Sequence, residues 1–237
     1  MTIGKGEMRL RTRQTVIPAD RIWAEAEKQM LEARRSYHQG EDANELSSLV
    51  QHHGLKDISP GLKEYIRSKV FIDAEAFVGD SALVMREHGP AKTIAFEPMP
   101  SIARKFDETM RHNAVSPGRG EWVMRGLSNS SGVVFCENNG GCECDSQGEP
   151  RIGMGSLDVY LRVQSFAVAG GFIKADSEEM GLDMLKGSIG TIRRDRPILS
   201  LCIYRNPEDF WGIYELLRSL DLNDEFKIEK QCGPWEN

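Results

Sequence analysis

No stretch of this sequence reaches the about 18 consecutive apolar residues that a membrane-spanning helix needs. The basic start, MTIGKGEMRLRTRQT, is followed by no apolar stretch, so it does not read as a secretory signal. Cysteine is scarce and odd in number: five residues, Cys136, Cys142, Cys144, Cys202 and Cys232, with no framework spacing. That predicts reduced thiols and a cytoplasmic address. An excess of positive charge is also lacking, with 30 Lys and Arg against 36 Asp and Glu and a net charge of -6. A protein held to nucleic acid mainly by counterion release is therefore not expected. Ten Pro and 23 Gly are too few for a collagen-like or disordered chain. What is present is ordinary for a globular protein: 237 residues, 40% hydrophobic and 28% charged. A chain of this length buries a core without disulfide or metal staples.

The order of elements is more informative. Asp20 is placed to cap a helix over residues 20–39, with Ile22, Trp23, Ala26, Met30 and Leu31 on one face. A second short helix is predicted over 43–52, and GLKDISPG at 54–61 breaks it. Residues 1–60 thus read as a helical N-terminal extension, a cap, and 61–237 as the main domain. From Val70 onward strands and helices alternate. VFIDAEAF, TIAFEP, EWVMRGLS, GFIKADSE and ILSLCIY read as strands. Helices are expected at 81–88, 100–113, 181–193 and after Pro207, and DEFKIEK reads as a last strand. This predicts an α/β fold with a mostly parallel sheet and helices on both faces. Ligands of such sheets sit at the carboxyl ends of the strands, so the chemistry is sought there.

Three strand ends carry it. After the first strand, Asp73 to Ser81 forms a turn of small residues leading into a helix, suited to close approach of a ligand. The same turn is compatible with a plain strand-to-helix connection capped by Asp80 or Ser81. Glu97, at the tip of the second strand, lies 18 residues beyond Gly79, close to the about 20 typical of a carboxylate that accepts hydrogen bonds from ribose hydroxyls. At the end of the fourth strand, Lys174, Asp176 and Glu178 share one face. One ammonium and two carboxylates in an apolar sheet are costly unless they pair or face a polar cleft. They are candidates for acid/base or orienting work.

Taken together, Asp73-x-x-Ala76-x-x-Gly79-Asp80-Ser81, Phe96-Glu97-Pro98, Ile173-Lys174-x-Asp176-x-Glu178, Leu185-Lys186-Gly187 and Arg196-Pro197-x-Leu199-Ser200 resemble the FkbM-like family of S-adenosylmethionine-dependent methyltransferases. The resemblance runs over residues 65–226. It implies a Rossmann-like class I methyltransferase sheet that binds S-adenosylmethionine. By resemblance, the turn containing Asp73, Glu75, Ala76, Gly79, Asp80 and Ser81 would hold the methionine end, and Glu97 and Pro98 the ribose. Asn113, Leu127 and Ser128 would lie near the adenine, and Lys174, Asp176 and Glu178 would line the methyl-transfer site, with Asp176 as orienter or base. The implied acceptor is a hydroxyl of a small molecule, such as a sugar or polyketide.

The sequence departs from the family pattern at several positions. Glu75 replaces the first glycine of the turn, where a positive φ is not expected of Glu. Glu179 replaces a Gly, Gly181 a second Glu, and Arg205 a His. An alternative therefore stands: a member impaired in catalysis that acts as a binding or interaction module. The fold usually ends with an antiparallel strand, and QCGPWEN is too short for a turn and a full strand. The spacing of Cys136, Cys142 and Cys144 fits no common zinc pattern, so no metal is expected. The loop that holds them, at 137–155, is long enough for a substrate lid. His52 and His53 read as solvated rather than catalytic.

Overall fold

The computed structural model describes residues 52–116, 118–135, 143–144, 150–164, 169–176, 180–203 and 207–226. The helix expected over 20–39 lies outside them, as does that over 43–52 except for His52.

Strands β1 (Val70–Ala74), β2 (Lys92–Phe96), β3 (Gly120–Val123), β8 (Gly170–Ala175) and β9 (Ile198–Leu201) form one sheet in the order β3-β2-β1-β8-β9. Every neighbouring pair is parallel. The chain steps outward from β1 to β3 and then returns past β1 to β8, which makes the β1/β8 boundary the topological switch point. β1 and β8 are buried along their whole length, as expected of central parallel strands, although each carries one charged residue, Asp73 and Lys174.

The two-residue side-chain period divides the sheet into two faces. Val70, Ile72, Ala74, Ile94, Phe96, Ile173 and Ala175 face one way. They pack against α4 (Leu157–Gln164), α5 (Gly181–Lys186), α6 (Ile189–Asp195) and α7 (Pro207–Ser219) through Leu157, Leu161, Leu185, Ile192, Ile213 and Leu217. The other face is covered by a 3-10 turn at His52–Asp57, α1 (Pro60–Ile66), α2 (Asp80–Met85) and α3 (Pro100–His112). Leu55, Ile66, Phe71, Met85 and Phe172 form a cluster there, and Ala76, Ala82, Ala95 and Phe106 a second. Leu55 is fully buried, so the end of the segment assigned to the extension is part of the sheet domain's core. Among the described residues, no helix is long and apolar enough to cross a membrane.

The structure corrects four expectations. EWVMRGLS is not one strand: Arg125 N–H donates to Val123 O at 2.7 Å, and this tight turn ends β3 and starts β4 (Gly126–Leu127). β4 belongs to a second sheet with β5 (Gly132–Phe135), β6 (Glu143–Cys144) and β7 (Pro150–Gly155), so the 137–155 stretch is not simply a loop. The helix expected at 181–193 is two helices. Ser188 Oγ bonds back to Met184 O at 2.7 Å, and Asp158 accepts the N–H groups of Gly190 and Thr191, both at 2.7 Å, to start α6 afresh. Of the expected last strand, residues 224–226 form no ladder, and the rest lies outside the described residues.

Candidate cofactor site at the switch point

Parallel register sets Asp73 directly beside Lys174 at the switch point. Both are buried, on the face opposite the main core. Lys174 Nζ lies 3.1 Å from Asp73 Oδ1 and donates to Glu75 O at 2.9 Å. Ser81 Oγ donates to Asp73 Oδ2 at 2.6 Å, so one carboxylate oxygen is hydrogen-bonded and the other is held by the ion pair alone. Burial alone would lower the Lys174 pKa, but the carboxylates of Asp73, Asp176 and Asp80 outweigh it and hold the ammonium protonated well above its ordinary range. Burial raises the Asp73 pKa, opposed by Lys174 and by the Ser81 hydroxyl.

The turn after β1 is built on left-handed backbone. Glu75 has φ 62, Phe77 φ 47 and Gly79 φ 88. The expectation that Glu75 would avoid positive φ is thus corrected: the fold imposes the conformation, and the Glu75 carbonyl is fixed by Lys174. At Gly79 only glycine fits, because a Cβ would stand 2.7 Å from Met110 Cε and from Phe106 Cδ2. α2 then begins at Asp80, whose Oδ1 accepts the Ser81 N–H at 2.9 Å.

Glu97 closes the other side of the turn. It is buried, and its carboxylate is clamped by two backbone donors, Met99 N–H to Oε1 at 3.0 Å and Phe77 N–H to Oε2 at 3.2 Å. Burial raises its pKa, with those two N–H groups and then Lys174 opposing. A carboxylate oxygen accepts more than one hydrogen bond, so each Glu97 oxygen keeps capacity for an outside hydroxyl.

The fold therefore brings Asp73, Glu75, Ala76, Gly79, Asp80, Ser81, Glu97, Lys174 and Asp176 to adjacent strand ends. Pro98 follows Glu97 and is half-buried. Asp176 Oδ1 is buried with no hydrogen-bond partner. Glu178, like Glu179 and Arg205, lies outside the described residues. Asn113 is not brought to this end: it caps the far end of α3, with Nδ2 on Thr109 O at 2.8 Å, and 13 residues of helix, about 20 Å, separate it from the Glu97 end. Leu127 packs into the main core, and Ser128 N–H bonds Gly155 O at 2.9 Å at the foot of the second sheet.

The two histidines expected to be solvated are not. His52 is buried, with Nδ1 3.0 Å from His88 Nε2. His53 is half-buried, and its Nε2 is fully enclosed without a hydrogen-bond partner. Its pKa is pushed down to about 3, first by burial and then by the charges of Lys174 and His52. Nothing in local spacing pairs residue 53 with residue 174; the one local sign is the following Gly54, which suits a left-handed turn.

No protein-family model and no curated protein sequence matches the chain. Solved structures do. A methyltransferase FkbM from Methylobacillus flagellatus KT is similar with a TM-score of 0.52 at 15% identity, over 85% of this chain and 54% of that one. A SAM-dependent methyltransferase from Agrobacterium tumefaciens aligns with a TM-score of 0.48 at 11% identity, over 78% of this chain and 53% of that one. The chain thus spans about half the length of either structure. At such identity the likeness is one of fold, and the fold of this chain is the Rossmann-like methyltransferase fold.

Proposed function

We propose that this chain is an S-adenosylmethionine-dependent methyltransferase that acts on a hydroxyl of a small molecule, such as a sugar or polyketide. The observation that carries this is Glu97, a buried carboxylate aimed by two backbone N–H groups and placed one strand from the glycine turn. The site fits the cofactor's chemistry: the left-handed turn closed by Gly79 leads into α2 beside Glu97, Glu97 has capacity for ribose hydroxyls, and Asp73 and Asp80 favour an ammonium. The net charge of -6 supports a small-molecule acceptor over nucleic acid.

When bound, S-adenosylmethionine supplies an electrophilic methyl group. The chain's own contribution is alignment and proton handling. Lys174 locks the Glu75 carbonyl and Asp73, and so sets the turn. Asp176, with a buried oxygen that lacks a partner, orients the acceptor hydroxyl and takes its proton. Titration calorimetry with S-adenosylmethionine and S-adenosylhomocysteine tests the proposal. Binding of both is expected, and no heat and no thermal shift at millimolar ligand would sink it.

One observation favours a second interpretation. Glu75 places a carboxylate on the turn, near where the cofactor's own carboxylate would lie. On that interpretation the chain binds a partner without methyl transfer, and Glu75→Gly restores cofactor binding that the wild type lacks.

A further inference from the structure

His53 stands apart among the buried polar groups. Its Nε2 has no hydrogen-bond partner, although burying such a group is costly. Its backbone is strained as well: His52 and His53 both have φ 50, and Gly54 follows at φ 86. Three left-handed residues in succession hold the imidazole where it is. Two residues on, Leu55 packs against Phe71 and Phe172, which precede Asp73 and Lys174 by two positions on the same sheet face. The 3-10 turn at His52–Asp57 also packs on α2, the helix that leaves the glycine turn. His53 is therefore on the side of Asp73 and Lys174, inside the field of the Lys174 charge.

That end of the site has a charge imbalance. Asp73, Asp80 and Asp176 suit the ammonium of an amino-acid tail, but the tail also carries a carboxylate. Lys174 Nζ is already engaged by Asp73 and the Glu75 carbonyl. A neutral imidazole supplies one N–H; burial first and the Lys174 charge second keep His53 neutral, and that charge also attracts an anion. Trp122 Nε1, also buried and unpartnered, belongs to a ring packed with Phe106 under α3. We propose that His53 donates a hydrogen bond from Nε2 to the α-carboxylate of bound S-adenosylmethionine, which makes it a cofactor-binding residue supplied from ahead of the sheet. This rests on the methyltransferase assignment.

The test compares two ligands by titration calorimetry on the full chain: S-adenosylhomocysteine, and 5′-deoxy-5′-methylthioadenosine, which has the nucleoside without the amino-acid tail. His53→Phe is expected to weaken S-adenosylhomocysteine about tenfold or more and the tailless ligand by less than about twofold. His53→Gln, which returns an N–H near Nε2, restores binding to within a few-fold, whereas the shorter His53→Asn does not. The Gln and Asn pair decides the matter if the Phe variant fails to fold. Unchanged affinity, or equal loss for both ligands, overturns the inference. A wild type that binds the tailless ligand but not S-adenosylhomocysteine overturns it too. A wild type that binds neither removes the methyltransferase assignment itself.

Discussion

Glu97 and Glu75 show how single residues at this site trade stability against binding. Glu97 is buried, and its pKa is raised first by that burial. Ribose hydroxyls would donate to the ionised form and so lower the pKa on binding. The complex then holds fewer protons than the free protein, and affinity is fully present above the raised value and lost as pH falls through it. S-adenosylhomocysteine should bind progressively more weakly as pH is lowered from about 7.5 toward the ordinary carboxylate range. Glu97→Gln should bind about tenfold more weakly at the higher pH and show no such slope. A wild-type affinity flat across that range would remove Glu97 from the ribose site. Glu75, at φ 62, carries a left-handed penalty that glycine avoids, offset in part by glycine's greater loss of entropy. Glu75→Gly should stabilise the protein by about 0.5–1 kcal/mol in urea denaturation. Calorimetry on the same variant separates the two functional readings: wild-type binding equal to the variant's leaves the module reading without its reason.

The elements of the sheet were legible because their signals are local. VFIDA, KTIAF and GFIKA are short, mainly apolar runs of the kind that a parallel sheet covered on both faces selects. The split at 187–188 was not, because its causes are distant in sequence. Gly187 sits against the second sheet, where a Cβ would come within 2.1 Å of Ser128 O. Ser156 Oγ donates to the Gly187 carbonyl at 2.7 Å, and the N–H of Asp158 reaches the same carbonyl at 3.0 Å. Backbone cannot yield as a flexible side chain does, so Gly187→Ala should cost about 3 kcal/mol. A loss below about 1 kcal/mol in urea denaturation would mean that the Ser128 strand end moves freely. β4 was merged with β3, and β5 was missed, for a related reason. They are short, and their pairing with β7 is settled by a turn at Val123–Arg125 that has no glycine or proline to mark it.

At the scale of the whole molecule, the His52–His88 contact ties the 3-10 turn at His52–Asp57 to the end of the α2 region. A bond between two ring nitrogens needs one N–H and one lone pair, so full protonation breaks it. Burial, then the charges of His52 and Lys63, lower the His88 pKa from 6.5 to about 4. The folded state binds fewer protons than the unfolded state between those values. Stability from this contact is thus complete above pH 6.5 and is lost progressively as pH falls toward about 4. Asp73 and Glu97 act in the opposite sense, because their raised values favour the folded state on acidification. Urea midpoints of the wild type and His88→Gln should therefore converge as pH falls from about 7 to about 4. A gap independent of pH would assign His88 a packing role alone.

The sequence by itself determined the alternation of strands and helices, the parallel sheet, and the strand tips where Asp73, Glu97 and Lys174 stand. Each of these follows from apolar period, turn chemistry or a spacing within one βαβ unit, all of which act over short stretches of chain. Only the tertiary structure decided that Lys174 pairs with Asp73 across β1 and β8, that Glu75 is held left-handed, and that His53 lies within the field of the Lys174 charge. Those outcomes depend on which strand lies beside which and on what covers the sheet. They are set by the sum of many burial and close-packing contacts between residues distant in sequence, and no short stretch of sequence encodes that sum.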